Sequence, residues 1–122
     1  MVSREHQAEN AWLWLAKLIT GGLIIVILIV HLAVNHLAPG GLKNYADVVA
    51  YLSNPWIALM EMTFLMLVVT HALLGTRSIL LDLNPSIRII RWMDRILVGL
   101  GSLSIIYGIW LIQVIIRQGT GG

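Results

Sequence analysis

Cysteine is absent, so the chain forms no disulfide and offers no thiolate to zinc or to an iron–sulfur cluster. Charge is scarce as well. Asp, Glu, Lys and Arg make up 11% of the residues, whereas soluble domains carry about 25%. The few charges are clustered, which leaves long gaps. Leu18 to Leu42 has no formal charge besides whatever His31 and His36 carry. Val48 to Thr76 has Glu61 as its one formal charge, and Ile96 to Ile116 has none. Each gap exceeds the roughly 18–20 residues needed to cross hydrocarbon.

What is present is therefore apolar: 58% of the 122 residues are hydrophobic. The reading is an all-α membrane protein with three transmembrane helices, forming one transmembrane domain over residues 1–122. A pI near 9.4 raises nucleic acid as a partner. The basic residues cluster at the ends of the spans, however, which is the pattern of membrane orientation, so no nucleic acid is expected. The first apolar stretch is too long for a cleaved signal peptide, and no small-residue cleavage site follows it.

The three prolines mark boundaries. The first span runs from about 11 to 37 and is stopped by the turn-forming "APGG" at Ala38–Gly41. Leu42–Ser53 is a connection in which "YADVVAYL" has the length for an amphipathic turn or two. In "SNPW", Asn54 is a good N-cap and Pro55 suits the first helical position, so the second span covers about 54–82. "LNP" at Leu83–Pro85 repeats that signal and starts a third span near Pro85, about 86–117.

Orientation follows from the basic residues. Arg4, Lys17, Arg77, Arg88, Arg91 and Arg95 fall on one side, and Lys43 and Arg117 on the other. The bias places the N-terminus in the cytoplasm, and the expected location is a prokaryotic inner membrane. Trp12, Trp14 and Trp92 lie near the inner interface and Trp56 near the outer one, as in an aromatic belt. Trp110 falls deeper and is expected to pack or hydrogen-bond within the protein.

His6 sits in a polar tail and reads as solvated. His31 and His71 lie well inside apolar spans, where ionisable residues face a partner or a polar cavity. One reading is a neutral imidazole bonded to a carbonyl of a neighbouring helix. The other is a metal or cofactor ligand. His71 precedes Arg77 by about 9 Å of helix, and His31 follows Lys17 by about 21 Å, which puts them in opposite halves of the bilayer, about 12 Å apart in depth. Two imidazoles on one haem iron need nitrogens about 4 Å apart. If both are axial ligands, they therefore serve two haems, and another protein supplies the remaining ligands. His36 points about 140° away from His31. Polar packing or contact with a haem propionate suits it. Asn35 shares the His31 face.

In "THALLGTRSILLDL", from Thr70 to Leu83, Gly75, Ser78 and Asp82 fall within about 40° of His71 on a helical wheel. Phe64 and Met60 continue the stripe, and Arg77 points elsewhere. Gly75 either admits a flat porphyrin edge or packs against a helix. Ser78 and Asp82 stand where a polar headgroup is held at the membrane boundary. For Arg77 an interfacial anchor is the plain alternative, and for Asp82 a solvated helix end or a salt bridge.

"HALLGTRSILLDL" resembles the His-x3-Gly-x-Arg-x4-Asp pattern of the membrane anchor subunits of succinate dehydrogenase, respiratory complex II. The order of three spans with an arginine-rich inner loop agrees. "VHLAVNHL" at Val30–Leu37 resembles the first-span histidine stretch of the two-anchor, two-haem type. The resemblance points to the smaller, D-like anchor, one part of a larger helical bundle with a partner anchor subunit. It implies haem b, two per assembly and shared with that second anchor, with His71 on the inner iron and His31 on the outer iron. Lys17, Arg77 and His36 become cofactor-binding candidates. Asp82, Ser78 and Trp92 become candidates for a quinone, menaquinone or ubiquinone. The family tyrosine beside the motif aspartate is replaced here by Leu83. The implied partners are an iron–sulfur subunit, a flavoprotein subunit and membrane lipid. The implied role is to tether a succinate:quinone oxidoreductase, with no succinate chemistry in this chain alone. Two alternatives stand beside it: a structural anchor with one haem or none, and a small transporter subunit using Glu61.

Overall fold

The computed structural model describes residues 10–37, 40–42 and 44–121. Arg4, His6, Pro39 and Lys43, each given a role or position above, lie outside the described residues. Helix α1 spans Ala11–Leu32 and continues as a wider π turn over Ala33–Leu37. Helix α2 spans Tyr45–Leu52, α3 Pro55–Asp82 and α4 Ile87–Thr120. Among the described residues there is no strand, and three helices are long and apolar enough to cross a membrane: Ala11–Leu37, Pro55–Asp82 and Ile87–Thr120.

Local chemistry fixes the ends. The Asn10 side chain accepts from the Trp12 amide, and the Asn54 side chain accepts from the Trp56 amide with Pro55 opening the helix. Asn44 and Asp47 form a reciprocal capping box at the start of α2. The connection is thus a two-turn helix, at the upper end of what its sequence suggested. The third span starts differently from expectation. Asn84 is not its cap but sits in the left-handed region at φ 54°, which asparagine tolerates better than most residues. Ser86 is the N-cap, and the helix runs on to Thr120, three residues beyond the expected end.

Helix α3 is central. Helices α1 and α4 both pack on it, not on each other, and α2 lies across α3 and α4. The α3–α4 seam is built on small residues, as is usual where lipid gives helices no hydrophobic reason to associate. A Cβ on Gly101 would run into Leu73, and one on Gly108 into Leu65. At the outer end Tyr45 donates a hydrogen bond to Gln118, and Gly119 lies against Val49.

Few side chains are buried. Leu52, Ala58, Leu81 and Ile90 are the buried apolar ones, and Asn35 is the buried polar one among the described residues. Most large apolar side chains face outward. Trp110 is among them at 57% exposed, which corrects the expectation that it packs inside this chain. It stands on the side of α4 turned away from α3, with the Tyr107 ring 5.9 Å from its own.

The seam makes a prediction. Gly101→Leu forces α3 and α4 apart and costs about 1–3 kcal/mol, as overpacking does. Gly99→Ala meets nothing within 4 Å in this chain and is tolerated. Thermal inactivation of the assembled protein in membranes should show a lowered midpoint for the first variant and an unchanged one for the second.

Candidate functional site

The antiparallel pairing of α1 with α3 creates two polar clusters inside otherwise apolar spans. The inner one centres on His71. Its Nδ1 lies 3.1 Å from Thr20 Oγ1 on α1, and Thr20 in turn donates to the Ala16 carbonyl at 2.7 Å. A hydroxyl has one hydrogen to give. Where that hydrogen lies on the backbone carbonyl, Thr20 accepts and His71 Nδ1 is the donor, which leaves Nε2 to another partner. Gly21 makes the approach possible: a Cβ there would stand 3.1 Å from His71 Cε1. One turn further in, Lys17 Nζ donates to Ser78 Oγ at 2.6 Å.

The outer cluster centres on His31, on α1, and gathers residues from three elements. His31 Nδ1 lies 2.9 Å from Glu61 Oε1 of α3, and Tyr51 of α2 donates to the same carboxylate oxygen. The Asn35 amide nitrogen donates to the His31 carbonyl at 2.9 Å and to the Tyr51 hydroxyl at 3.2 Å. It also lies 3.2 Å from His31 Nδ1, but both of its hydrogens are already placed. No donor remains for Nδ1, so that nitrogen carries its own proton to Glu61, and Nε2 keeps a lone pair. The Phe64 ring lies 5.1 Å from the imidazole, tilted by 38°. His31, Tyr51, Glu61 and Phe64 line a cavity of about 500 Å³ that is otherwise walled by Leu42, by Gly108 and by aliphatic side chains of α2, α3 and α4.

The two clusters sit at different heights. His71 is level with Thr20 and Gly21, and His31 lies ten residues beyond Gly21 on the same helix, about 15 Å at 1.5 Å per residue. The separation is slightly larger than the 12 Å expected from the loop anchors. Among the described residues no three His, Asp or Glu side chains converge to hold a bare metal ion.

The other sequence candidates divide. Lys17 and Ser78 are brought together beside His71. Gly75 has open space where a Cβ would be, so packing within this chain does not require glycine there. Arg77 does not join that cluster. Its guanidinium bonds Asp94 of α4 at 2.7 and 3.3 Å. Asp82 is exposed at the end of α3, and His36 is exposed in the π turn. Trp92 is 60% exposed on α4, with the Arg95 guanidinium 5.9 Å from its ring centre. Thr20, Gly21 and Tyr51 were not singled out from the sequence. The Thr-Gly-Gly interruption of an apolar span was the available signal for the first two.

Burial raises the Tyr51 phenol from its ordinary 10.0 to about 12, helped by its hydrogen bond to Glu61 and the negative charge there. A pKa raised in the folded state contributes stability below the unfolded value and loses it above. The contribution of Tyr51 is thus complete below pH 10 and fades towards pH 12. Phenolate absorbance should show one late-titrating tyrosine in the native protein, which Tyr51→Phe removes. The Arg77–Asp94 pair is half-buried. Asp94→Ala should cost about 1–2 kcal/mol, between exposed and buried pairs. Adding Arg77→Met should recover part of that loss in a thermal double-mutant cycle.

Comparison with known proteins bears on these clusters. The model of a family described as succinate dehydrogenase/fumarate reductase transmembrane subunit matches residues 2–106. A relative from Archaeoglobus fulgidus, described as a succinate dehydrogenase hydrophobic membrane anchor subunit, is 31% identical over 99 residues. The match covers 81% of this chain and 85% of that protein. No solved structure matches.

Proposed function

This chain belongs to the family of succinate dehydrogenase/fumarate reductase transmembrane subunits, and on that premise we propose that it is a haem b-binding anchor that also helps to form a quinone site. Its enzymatic role is that of a subunit. It moors a succinate dehydrogenase assembly to the membrane and does no succinate chemistry by itself.

One observation carries the haem reading. The Nδ1 of each intramembrane histidine lies against an oxygen of the opposite helix, 3.1 Å from Thr20 for His71 and 2.9 Å from Glu61 for His31. That arrangement fixes the ring and leaves Nε2 free as a ligand, as is usual for metal-bound histidine. The residues therefore fit an iron porphyrin, which His71 and His31 would hold through their imidazoles. His71 with Gly21 behind it and the open face at Gly75 beyond it suits the inner group. His31 on the wall of the 500 Å³ cavity suits the outer one. When bound, haem b carries single electrons between its ferric and ferrous states. This chain's part is to orient the two imidazoles, exclude water with aliphatic walls and place Lys17 for an anionic substituent beside His71. α4 has no histidine, so a partner anchor subunit would supply any further ligands. The outward-facing apolar side chains of α1 and α4 offer a surface for it.

At the inner end Lys17 and Ser78 are bonded to one another, and Asp82 lies one turn beyond Ser78. We assign quinone contact to this end, with Ser78 and Asp82 as hydrogen-bonding groups and Trp92 on the neighbouring inner rim. Leu83, where the resembling subunits carry tyrosine, gives no hydrogen bond, so the partner anchor supplies one. The flavoprotein and iron–sulfur subunits dock on this basic side, which the positive-inside bias makes cytoplasmic in a prokaryotic inner membrane. Arg77 serves that end by fastening α3 to α4, and His36 stays at the outer interface. Glu61 is held by His31 and Tyr51, a placement that with the family membership favours the anchor over a transporter subunit.

His71→Leu and His31→Leu should each remove one haem per flavin from the purified complex, measured as pyridine haemochrome, and His36→Leu should remove none. Unchanged haem content in both of the first two variants overturns the reading.

A further inference from the structure

The two imidazoles are held by unlike partners. His71 Nδ1 faces a neutral hydroxyl, and that hydroxyl is itself tied to the Ala16 carbonyl. His31 gives its Nδ1 proton to a carboxyl group, Glu61, which also accepts from Tyr51. A carboxylate draws the Nδ1 proton more strongly than a hydroxyl does, so the His31 ring gains imidazolate character and becomes the better electron donor at Nε2. Tyr51 works against this, because its hydroxyl competes for the same oxygen. It arrives from α2, the short helix between the first two spans, and is itself fixed by Asn35. Asn35 is buried on the π turn that ends the first span. The set therefore contains one group that strengthens His31 as a donor and another, on a separate element, that moderates it.

We propose that Glu61 and Tyr51 are positioning residues for His31 that set its donor strength in opposite senses, so that α2 tunes the redox potential of the group His31 holds. The proposal rests on the haem reading above. It goes beyond that reading by assigning the tuning to two residues that act through His31. Stronger donation by an axial ligand stabilises the oxidised iron and lowers its midpoint potential.

The test is a potentiometric titration, at one fixed pH, of the assembled complex in membranes, with low-spin electron paramagnetic resonance spectra recorded alongside. Glu61→Gln keeps an oxygen acceptor of nearly the same shape but removes its charge. It should retain haem and shift the midpoint of the His31-dependent haem upward, leaving the His71-dependent one in place. Tyr51→Phe frees the carboxylate for His31 alone and should shift the same midpoint downward. Opposite shifts support the proposal, since simple loosening of the site would move both variants the same way. Shifts of one sign in both variants, or no shift in either, overturn it even though haem remains bound. If His31→Leu leaves the haem content unchanged, the assignment of a haem to His31 fails, and this proposal falls with it.

Discussion

The structure depends on how α1 and α3 solve one problem: a polar side chain inside lipid must find its partner on another helix. Two imidazoles and one carboxyl group lie at membrane depth, where an acidic side chain at mid-span costs about 2.5–3.5 kcal/mol. Interhelical hydrogen bonds there return roughly 0.6–2 kcal/mol each. Glu61 receives two such bonds, and His71 has one to Thr20. The antiparallel register that satisfies both clusters at once is specific. A slip of one residue would turn Thr20 and Gly21 away from His71 and His31 away from Glu61 together. Holding the two imidazoles and holding α1 against α3 are thus the same interaction.

The remaining architecture supports that pairing. Helix α4 packs on the other side of α3 through Gly101 and Gly108, and the Arg77–Asp94 pair locks the inner end of the seam. Helix α2 closes the outer end and delivers Tyr51 to Glu61. Because α1 and α4 meet α3 but not each other, a face of α3 is left between them. The polar stripe of His71, Gly75 and Ser78 lies on the side that α1 flanks. Little of the chain's apolar surface is buried within it, in keeping with three spans that face outward along most of their length.

Much of this was legible in the sequence because each signal was local or periodic. Charge gaps gave the spans, Asn54-Pro55 gave the start of α3, and the helical wheel put Gly75 and Ser78 beside His71. The rest depended on contacts between elements. Thr20 reads as an ordinary small polar residue until α1 is laid against α3. Tyr51 reads as part of a surface turn until α2 folds over Glu61. Asn84 and Ser86 both look like caps, and only the backbone shows that the first is left-handed. Trp110 misled for a different reason. Depth in the membrane was taken as contact within the chain, whereas in a subunit of a larger bundle a deep aromatic side chain can face outward.

The most direct test of the central claim is a map of the assembled complex fine enough to place imidazole rings and porphyrins. The account predicts one porphyrin at Nε2 of His71 and a separate one at Nε2 of His31, with Nδ1 of each ring still within hydrogen-bonding distance of Thr20 and Glu61. Imidazoles facing no porphyrin, or turned so that Nδ1 meets the iron, would contradict it.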